Sequence, residues 1–97
     1  MSNFESNSNK GFKMTFANGY TISVQWGIGN YCAVGRPDLL LPDYDKPRHQ
    51  QNWASETAEI AVWDSKGEWY KCGESDDVLG WLTTDDVAQW IEKVSKF

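Results

Sequence analysis

The chain has 97 residues, a formal net charge of −5 and six tryptophans. This length supports one domain with one core and excludes a second core of useful size. The charge is uneven, because residues 54–97 carry ten acidic and four basic side chains. No basic stripe is present to follow a phosphate backbone, which argues against a nucleic-acid polymer as the partner. Six tryptophans exceed the needs of so small a core and predict either a thick core or an exposed aromatic face.

The first predicted element is a β-hairpin over residues 11–26, which follows a disordered leader predicted for the Ser- and Asn-rich residues 1–10. Apolar and polar residues alternate along both arms. A two-residue turn at Asn18 and Gly19 would divide the apolar side chains between two faces, whereas a three-residue loop, 17–19, places them on one. The pattern therefore predicts Gly19 in the left-handed conformation, closing a bulged turn. The expected cross-strand pairs are Phe16–Tyr20, Met14–Ile22 and Phe12–Val24.

A long loop over residues 27–55 follows, with all three prolines and the elbow Gly27-Ile28-Gly29. Loops of this length are usually functional or disordered, and the apolar residues of this one predict an ordered loop that packs on the domain. The glycines match only part of a dinucleotide-binding motif, so the elbow indicates a bend or a close backbone approach to an anion. Cations and aromatics in the loop resemble the groups that hold phosphates and stack on bases, although its aspartates equally permit internal ion pairs. The candidate ligand-binding residues are Asn30, Tyr31, Arg36, Arg48 and His49.

A second hairpin is predicted from Ala58 to Cys72, with the same three-residue turn and Gly67 in the place of Gly19. Its register brings Trp63 opposite Trp69 on one face of the sheet. The expected pairs on the other face are Val62–Tyr70 and Ile60–Cys72.

A helix with a complete start signal is predicted at the C-terminus. Thr83 is the expected N-cap and Asp86 stands at the third helical position, as in a capping box. Apolar residues at helical spacing follow, and residues 78–82 fit a short additional strand. We therefore predict one α+β domain over residues 11–97. It comprises an antiparallel sheet of four to five strands, built from two hairpins joined by a long ordered loop, with one C-terminal helix packed on it.

The chain shows no catalytic or metal-binding pattern. Cys32 and the single histidine, His49, could form a nucleophile–base pair, but nothing in the sequence around them favours an activated thiol. The cysteines and the histidine lack zinc spacing, and the acidic clusters lack an EF-hand pattern. No export signal precedes the cysteines, so Cys32 and Cys72 are expected as thiols in the cytoplasm. The prediction is a protein that is not an enzyme and has no cofactor, no metal and no membrane partner.

Residues 11–27 (GFKMTFANGYTISVQWG), continuing to Asn30-Tyr31-Cys32, resemble small uncharacterised proteins encoded by bacteriophages. Residues 56–63 (ETAEIAVW) and the final helix resemble the same group, so the likeness covers most of the chain. The resemblance implies an accessory protein that acts in the cytoplasm of an infected bacterium, in the manner of counter-defence factors. It brings no known functional residues with it.

Two classes of function follow from the residues and this context. The first is a non-enzymatic binding protein that sequesters a small anionic, nucleotide-like signal at the loop residues. Such a protein could act as a homo-oligomer, with its binding sites between subunits. The alternative is a protein-interaction module that inhibits a host protein through Trp63 and Trp69 or through its acidic C-terminal half. An accessory role in the virion or its assembly is a third class.

Overall fold

The two hairpins form the centre of an antiparallel sheet, and the C-terminal helix packs on one of its faces. The structure is a computed structural model and describes residues 2–6, 10–26, 36–37, 53–72 and 78–97. In this part of the chain the main sheet has the strand order β1-β2-β3-β6-β7, with β8 also paired to β6, while β4 and β5 pair separately. The elements are β1 Asn3–Ser6, β2 Gly11–Thr15, β3 Thr21–Gln25, β4 Arg36–Pro37, β5 Trp53–Ala54, β6 Ala58–Trp63, β7 Trp69–Tyr70, β8 Val78–Leu82 and α1 Thr84–Ser95. The predicted α+β class is confirmed.

The predicted register of the first hairpin is confirmed. Met14 lies opposite Ile22, and the Phe16 amide donates to the Tyr20 carbonyl at 2.9 Å. Gly19 has a φ of 89°, and its amide donates to the Phe16 carbonyl at 2.9 Å. The three-residue loop therefore places every apolar side chain of the hairpin on the helix side of the sheet, where this set packs against the buried core.

The second hairpin is confirmed at its turn and corrected further along. Val62 lies opposite Tyr70 as predicted, and Gly67 has a φ of 80°. The predicted pairing of Ile60 with Cys72 is wrong, because Ile60 pairs with Leu79 of β8. An aliphatic partner buries more apolar area beside Ile60 than a thiol would.

The edge of the sheet beside β6 is made of two strands placed end to end. Tyr70 of β7 lies opposite Val62, and Val78 of β8 lies opposite the next β6 residue, Ala61. The predicted extra strand over residues 78–82 is therefore present as β8, and it takes the place that the arm of the second hairpin was expected to fill. Cys72 lies outside the strands, and its thiol donates to the Tyr70 carbonyl at 3.8 Å.

The structure also places a strand, β1, within the predicted disordered leader. Asn3–Ser6 pairs antiparallel with β2, and Phe4 lies opposite Met14. Because paired residues share a face, Phe4 lies on the helix side, at the outer edge of the sheet, where its ring is exposed. The apolar stripe of the hairpin is thus continued outward by one residue of the leader.

The core lies between the sheet and α1. Val94 of the helix is fully buried against Ile22 of β3 and against Ile60 and Val62 of β6. The partly buried residues packed on this centre come from both layers: Phe12, Met14, Phe16, Tyr20, Trp26, Tyr70, Cys72, Leu79, Leu82, Val87, Trp90 and Ile91. The prediction that the helix packs on the apolar face of the sheet is confirmed, but within the first hairpin its strand contacts are with β3 and do not extend to β2.

Both ends of α1 are held by side chains. The Asp86 amide donates to Thr83 Oγ1 at 3.2 Å, and the Thr83 amide donates to Asp86 Oδ2 at 3.1 Å, which completes the predicted capping box. At the other end, Asn18 Nδ2 donates to the Val94 carbonyl at 2.9 Å. The turn of the first hairpin therefore caps the C-terminus of the helix, a contact that no local sequence pattern indicates.

The glycines of the two turns provide a matched pair of substitutions. Gly19→Ala and Gly67→Ala should each lower the free energy of unfolding by about 1 kcal/mol, because both residues have a positive φ. A Cβ at Gly67 would meet nothing within 4 Å, whereas at Gly19 it would lie 3.1 Å from Ser65 Cβ. We therefore expect Gly19→Ala to cost more. Urea unfolding of both variants checks this, and wild-type stability in both would contradict the turn geometry.

Among the described residues, no helix is long and apolar enough to cross a membrane.

Candidate aromatic binding face

The face of the sheet opposite α1, here called the open face, carries the candidate site. Within the described ranges, no helix or strand packs on the open face. The helix α1 contacts β3, β6 and β8, and the apolar residues of α1 pack in the core on the other side of the sheet. Register places alternate residues of each strand there. The residues of the open face are Asn3, Glu5, Lys13, Thr15, Thr21, Ser23, Gln25, Glu59, Ala61, Trp63, Trp69 and Val78.

Trp63 and Trp69 form a cross-strand pair on the open face, as the sequence predicts. Their ring centroids lie 5.3 Å apart, with an angle of 51° between the ring planes. Trp63 is half-buried, whereas 52% of Trp69 is exposed. Aromatic pairs at this separation attract each other beyond the area that they bury. The pair thus presents a half-buried tryptophan and a largely exposed one on the open face.

Lys13 reaches the pair from two strands away. Its Nζ lies 5.8 Å from the centroid of the Trp63 ring. Lys13 belongs to β2 and Trp63 to β6, so the lysine side chain crosses the intervening strand, β3. Thr21 and Ser23 of β3 lie below this path and are only 8% and 2% exposed. Lys13 therefore spans β3 on the open face, with its ammonium group over an aromatic ring.

The polar groups beneath Lys13 have partners. The Thr15 and Thr21 hydroxyl oxygens lie 2.9 Å apart, within hydrogen-bond distance, and Gln25 Nε2 donates to Ser23 Oγ at 2.9 Å. Among the described residues, no buried side-chain nitrogen or oxygen is without a hydrogen bond. The polar groups at the centre of the open face are therefore hydrogen-bonded within the protein, and the tryptophans supply its exposed apolar surface.

Trp81 extends the aromatic surface along the sheet edge. Leu82 lies opposite Ala58 and Leu79 opposite Ile60, so two residues of β8, Gly80 and Trp81, lie opposite Glu59 alone. This is a β-bulge, and Trp81 in it has a φ of 60°. The side chain is 61% exposed. A bulky residue in the left-handed region is strained, and such strain concentrates at functional sites.

The backbone strain at residue 81 can be measured by comparing two variants that both lack the indole ring. Trp81→Gly should have a free energy of unfolding about 1 kcal/mol higher than Trp81→Ala, because both remove the indole and only glycine adopts a φ of 60° without cost. Thermal or urea unfolding of the two variants provides the comparison. At a strand position with ordinary dihedrals the order would be reversed, so a more stable alanine variant would contradict this geometry.

The residues predicted to hold a small anionic ligand are not brought together by the described structure. Asn30, Tyr31, Arg48 and His49 lie outside the described residues, as does Cys32. The backbone of Arg36 pairs with Ala54 in the small β4–β5 sheet. The anionic-ligand site therefore stays a prediction.

The chemistry of the described surface is that of packing and weak electrostatics. Among the described residues, no cluster of three or more His, Cys, Asp or Glu side chains could hold a metal. On the outer side of α1, the Lys96 ammonium donates to Glu92 Oε1 at 2.8 Å, which lowers the pKa of Glu92 below its usual value. Any stability from this pair is present at neutral pH and is lost as the pH falls through that lowered pKa. Both side chains are exposed, so the effect on stability is small.

The sequence analysis missed two residues, Lys13 of the open face and Trp81 of the bulge in β8. Lys13 occupies an ordinary polar position of an alternating strand, and only the order β2-β3-β6 shows that it can reach Trp63. Trp81 sits in a segment predicted as a strand, where a bulge cannot be recognised without its partner strand.

No protein-family model, no curated protein and no solved structure matches the chain.

Proposed function

We propose that this protein is a non-enzymatic interaction module that docks on a host protein through the open face, with Trp63 and Trp69 as its anchors. The observation that carries the proposal is the large exposed fraction, 52%, of Trp69, which is paired across the strands with Trp63. The partner surface would offer an apolar side chain to seat against Trp69. Exposed apolar groups of this kind mark interaction sites, and tryptophan is enriched among interface residues that dominate binding energy.

The anchors are organised before any partner arrives. Trp63 lies on β6, which pairs with β3 on one side and with β7 and β8 on the other. Lys13 over its ring and Trp69 beside it restrict its rotamers further. Binding to such a surface loses little side-chain entropy, which leaves more of the contact energy for affinity.

A purely structural role is the competing explanation of the tryptophan pair. Cross-strand aromatic pairs stabilise hairpins by roughly 0.2–1 kcal/mol each. That role does not require Trp69 to be exposed, and it predicts that substitutions change stability alone. The interaction role predicts that Trp69→Ala weakens binding strongly while the fold persists, so the two roles separate by experiment.

The resemblance to phage proteins suggests the kind of partner. A small accessory protein in an infected cell acts on host components, and inhibition of a host protein fits a module with no catalytic pattern. Counter-defence is the specific activity that we propose, with a role in the virion or its assembly as the alternative context for the same surface. Capture from uninfected and from infected cells distinguishes these contexts.

Affinity capture from a bacterial lysate tests the proposal. The wild-type protein should retain a specific host protein, and Trp69→Ala should weaken that capture by roughly thirtyfold, as expected when a dominant interface residue is truncated. Phe4→Ala is the matched control, because Phe4 is an exposed aromatic residue at an edge on the other face. Equal loss in both variants, or retention in Trp69→Ala, would contradict the proposal.

The hypothesis of a small anionic ligand makes a different prediction for the same protein. Calorimetry with mono-, di- and cyclic oligonucleotides would show binding that weakens as the salt concentration rises. Truncation of Arg36 or Arg48 would then reduce affinity, and Trp69→Ala would not. This outcome would assign the binding function to the loop residues and not to the open face.

A further inference from the structure

A cavity of about 280 Å³ lies on the helix side of the sheet, away from the open face. It sits where the start of β6 meets the first turn of α1 and the far end of the first hairpin. Its lining includes Ala58 of β6, Val87 of α1, and Phe12 and Trp26 of the hairpin. Nothing in the proposed docking role of Trp63 and Trp69 uses this cavity.

The walls of the cavity are apolar and partly aromatic. The rings of Phe12 and Trp26 meet edge to face with centroids 6.4 Å apart. Val24 and Leu82 complete the apolar wall together with Ala58 and Val87. The cavity is open to solvent on one side, so a bound molecule would displace water from its apolar walls.

Beside its apolar walls the cavity is lined by Ser55, Thr57 and Thr84, and by Glu56, the charged residue among the described residues that form it. The Glu56 side chain is exposed, which leaves its carboxylate on the solvent side of the cavity. A carboxylate in this position repels anions and attracts cations.

We propose that this cavity binds a small aromatic molecule of one or two rings that is neutral or cationic. The size argument is that an apolar cavity of about 150 Å³ takes up benzene, so this larger one has room for a second ring. The charge argument is Glu56 in the lining. The ligand class is therefore different from the anionic, nucleotide-like molecule predicted for the long loop.

Three probes that share one ring system test size and charge together. We expect indole and tryptamine to bind in calorimetry, with indole-3-acetate weaker than tryptamine by roughly two- to fivefold, the range expected for one exposed charge pair. Amide chemical-shift changes on indole addition should centre on Thr57, Ala58 and Val87. No binding of indole or tryptamine at millimolar concentration, or shifts centred on Trp63 and Trp69, would overturn the proposal.

Two variants separate the volume of the cavity from its charge. Val87→Phe should fill the space and reduce indole affinity by at least roughly tenfold. Glu56→Gln leaves the core untouched and should remove the preference for tryptamine over indole-3-acetate while indole affinity stays unchanged. Because Glu56 is exposed, this variant tests the proposal even if Val87→Phe fails to fold. A preference that persists in Glu56→Gln would overturn the role of the carboxylate.

Discussion

Gly11→Ala is expected to lower the free energy of unfolding by about 3 kcal/mol or more, the largest effect of any single substitution considered for this chain. Gly11 begins β2 with a φ of 156°, opposite Gln25. A Cβ at this position would lie 2.0 Å from the Val24 carbonyl oxygen and 2.9 Å from Gln25 Cα. These are backbone atoms of the central strand β3, which cannot move without breaking its pairing with β6.

Urea unfolding of Gly11→Ala beside Gly67→Ala provides the measurement and its control. Both glycines have a positive φ, but a Cβ at Gly67 meets nothing within 4 Å. The difference between the two variants therefore isolates the close approach of β2 to β3. Equal destabilisation by the two substitutions would mean that this approach is absent.

Asn18→Asp is expected to lower the free energy of unfolding by about 1–2 kcal/mol, although aspartate is a good turn residue. The Asn18 amide oxygen accepts from the Tyr20 amide at 2.9 Å, and a carboxylate would keep this bond. The amide nitrogen donates to the Val94 carbonyl, and a carboxylate cannot. It would also place a negative charge at the C-terminal end of the helix dipole, where anions are unfavourable.

Asn18→Ala is the matched control for this prediction, because it removes every hydrogen bond of the Asn18 side chain without adding a charge. If the contact with the helix dominates, the aspartate variant is no more stable than the alanine variant. If Asn18 served the turn alone, aspartate would restore wild-type stability. Thermal unfolding at neutral pH of the two variants distinguishes these cases.

Most of the sheet could be predicted because its hairpins are local. Alternation over residues 11–26 and a three-residue loop determine which residues face each other, and only one register puts all the apolar side chains together. The same reasoning succeeded at Trp63 and Trp69, two positions from a turn whose glycine is recognisable. The helix start at Thr83 was equally readable, since a capping box is a local pattern.

The errors lie where pairing depends on distant partners. The Ile60–Cys72 pair fits the local alternation, but β8 competes for the same edge of β6 and replaces it. β1 was missed because Asn3–Ser6 has little apolar character and pairs only because β2 offers an edge. The contact of Asn18 with Val94 joins residues 76 positions apart, which no pattern within a turn can show.

The sequence predicted that Trp63 and Trp69 pair on one face of the sheet, but it did not predict their exposure or the residues around them. Six tryptophans indicated a surplus, and the register of the second hairpin assigned two of them to one face. The exposure of Trp69 could not be predicted from composition, because Trp90 is also a tryptophan of this chain and packs against the core. The strain at Trp81 and the crossing of β3 by Lys13 required the strand order.

Site-specific photo-crosslinking in bacterial cells tests the central claim most directly, namely that the open face around Trp63 and Trp69 contacts a host protein. A photoreactive residue would replace either Lys71, an exposed residue two positions after Trp69 where the alternation of β7 continues onto the open face, or Ala88, an exposed residue of α1. The account predicts a single crosslinked host protein from position 71, none from position 88, and loss of the crosslink when Trp69→Ala is added. A crosslink from position 88 alone, or one from position 71 that survives Trp69→Ala, would contradict it.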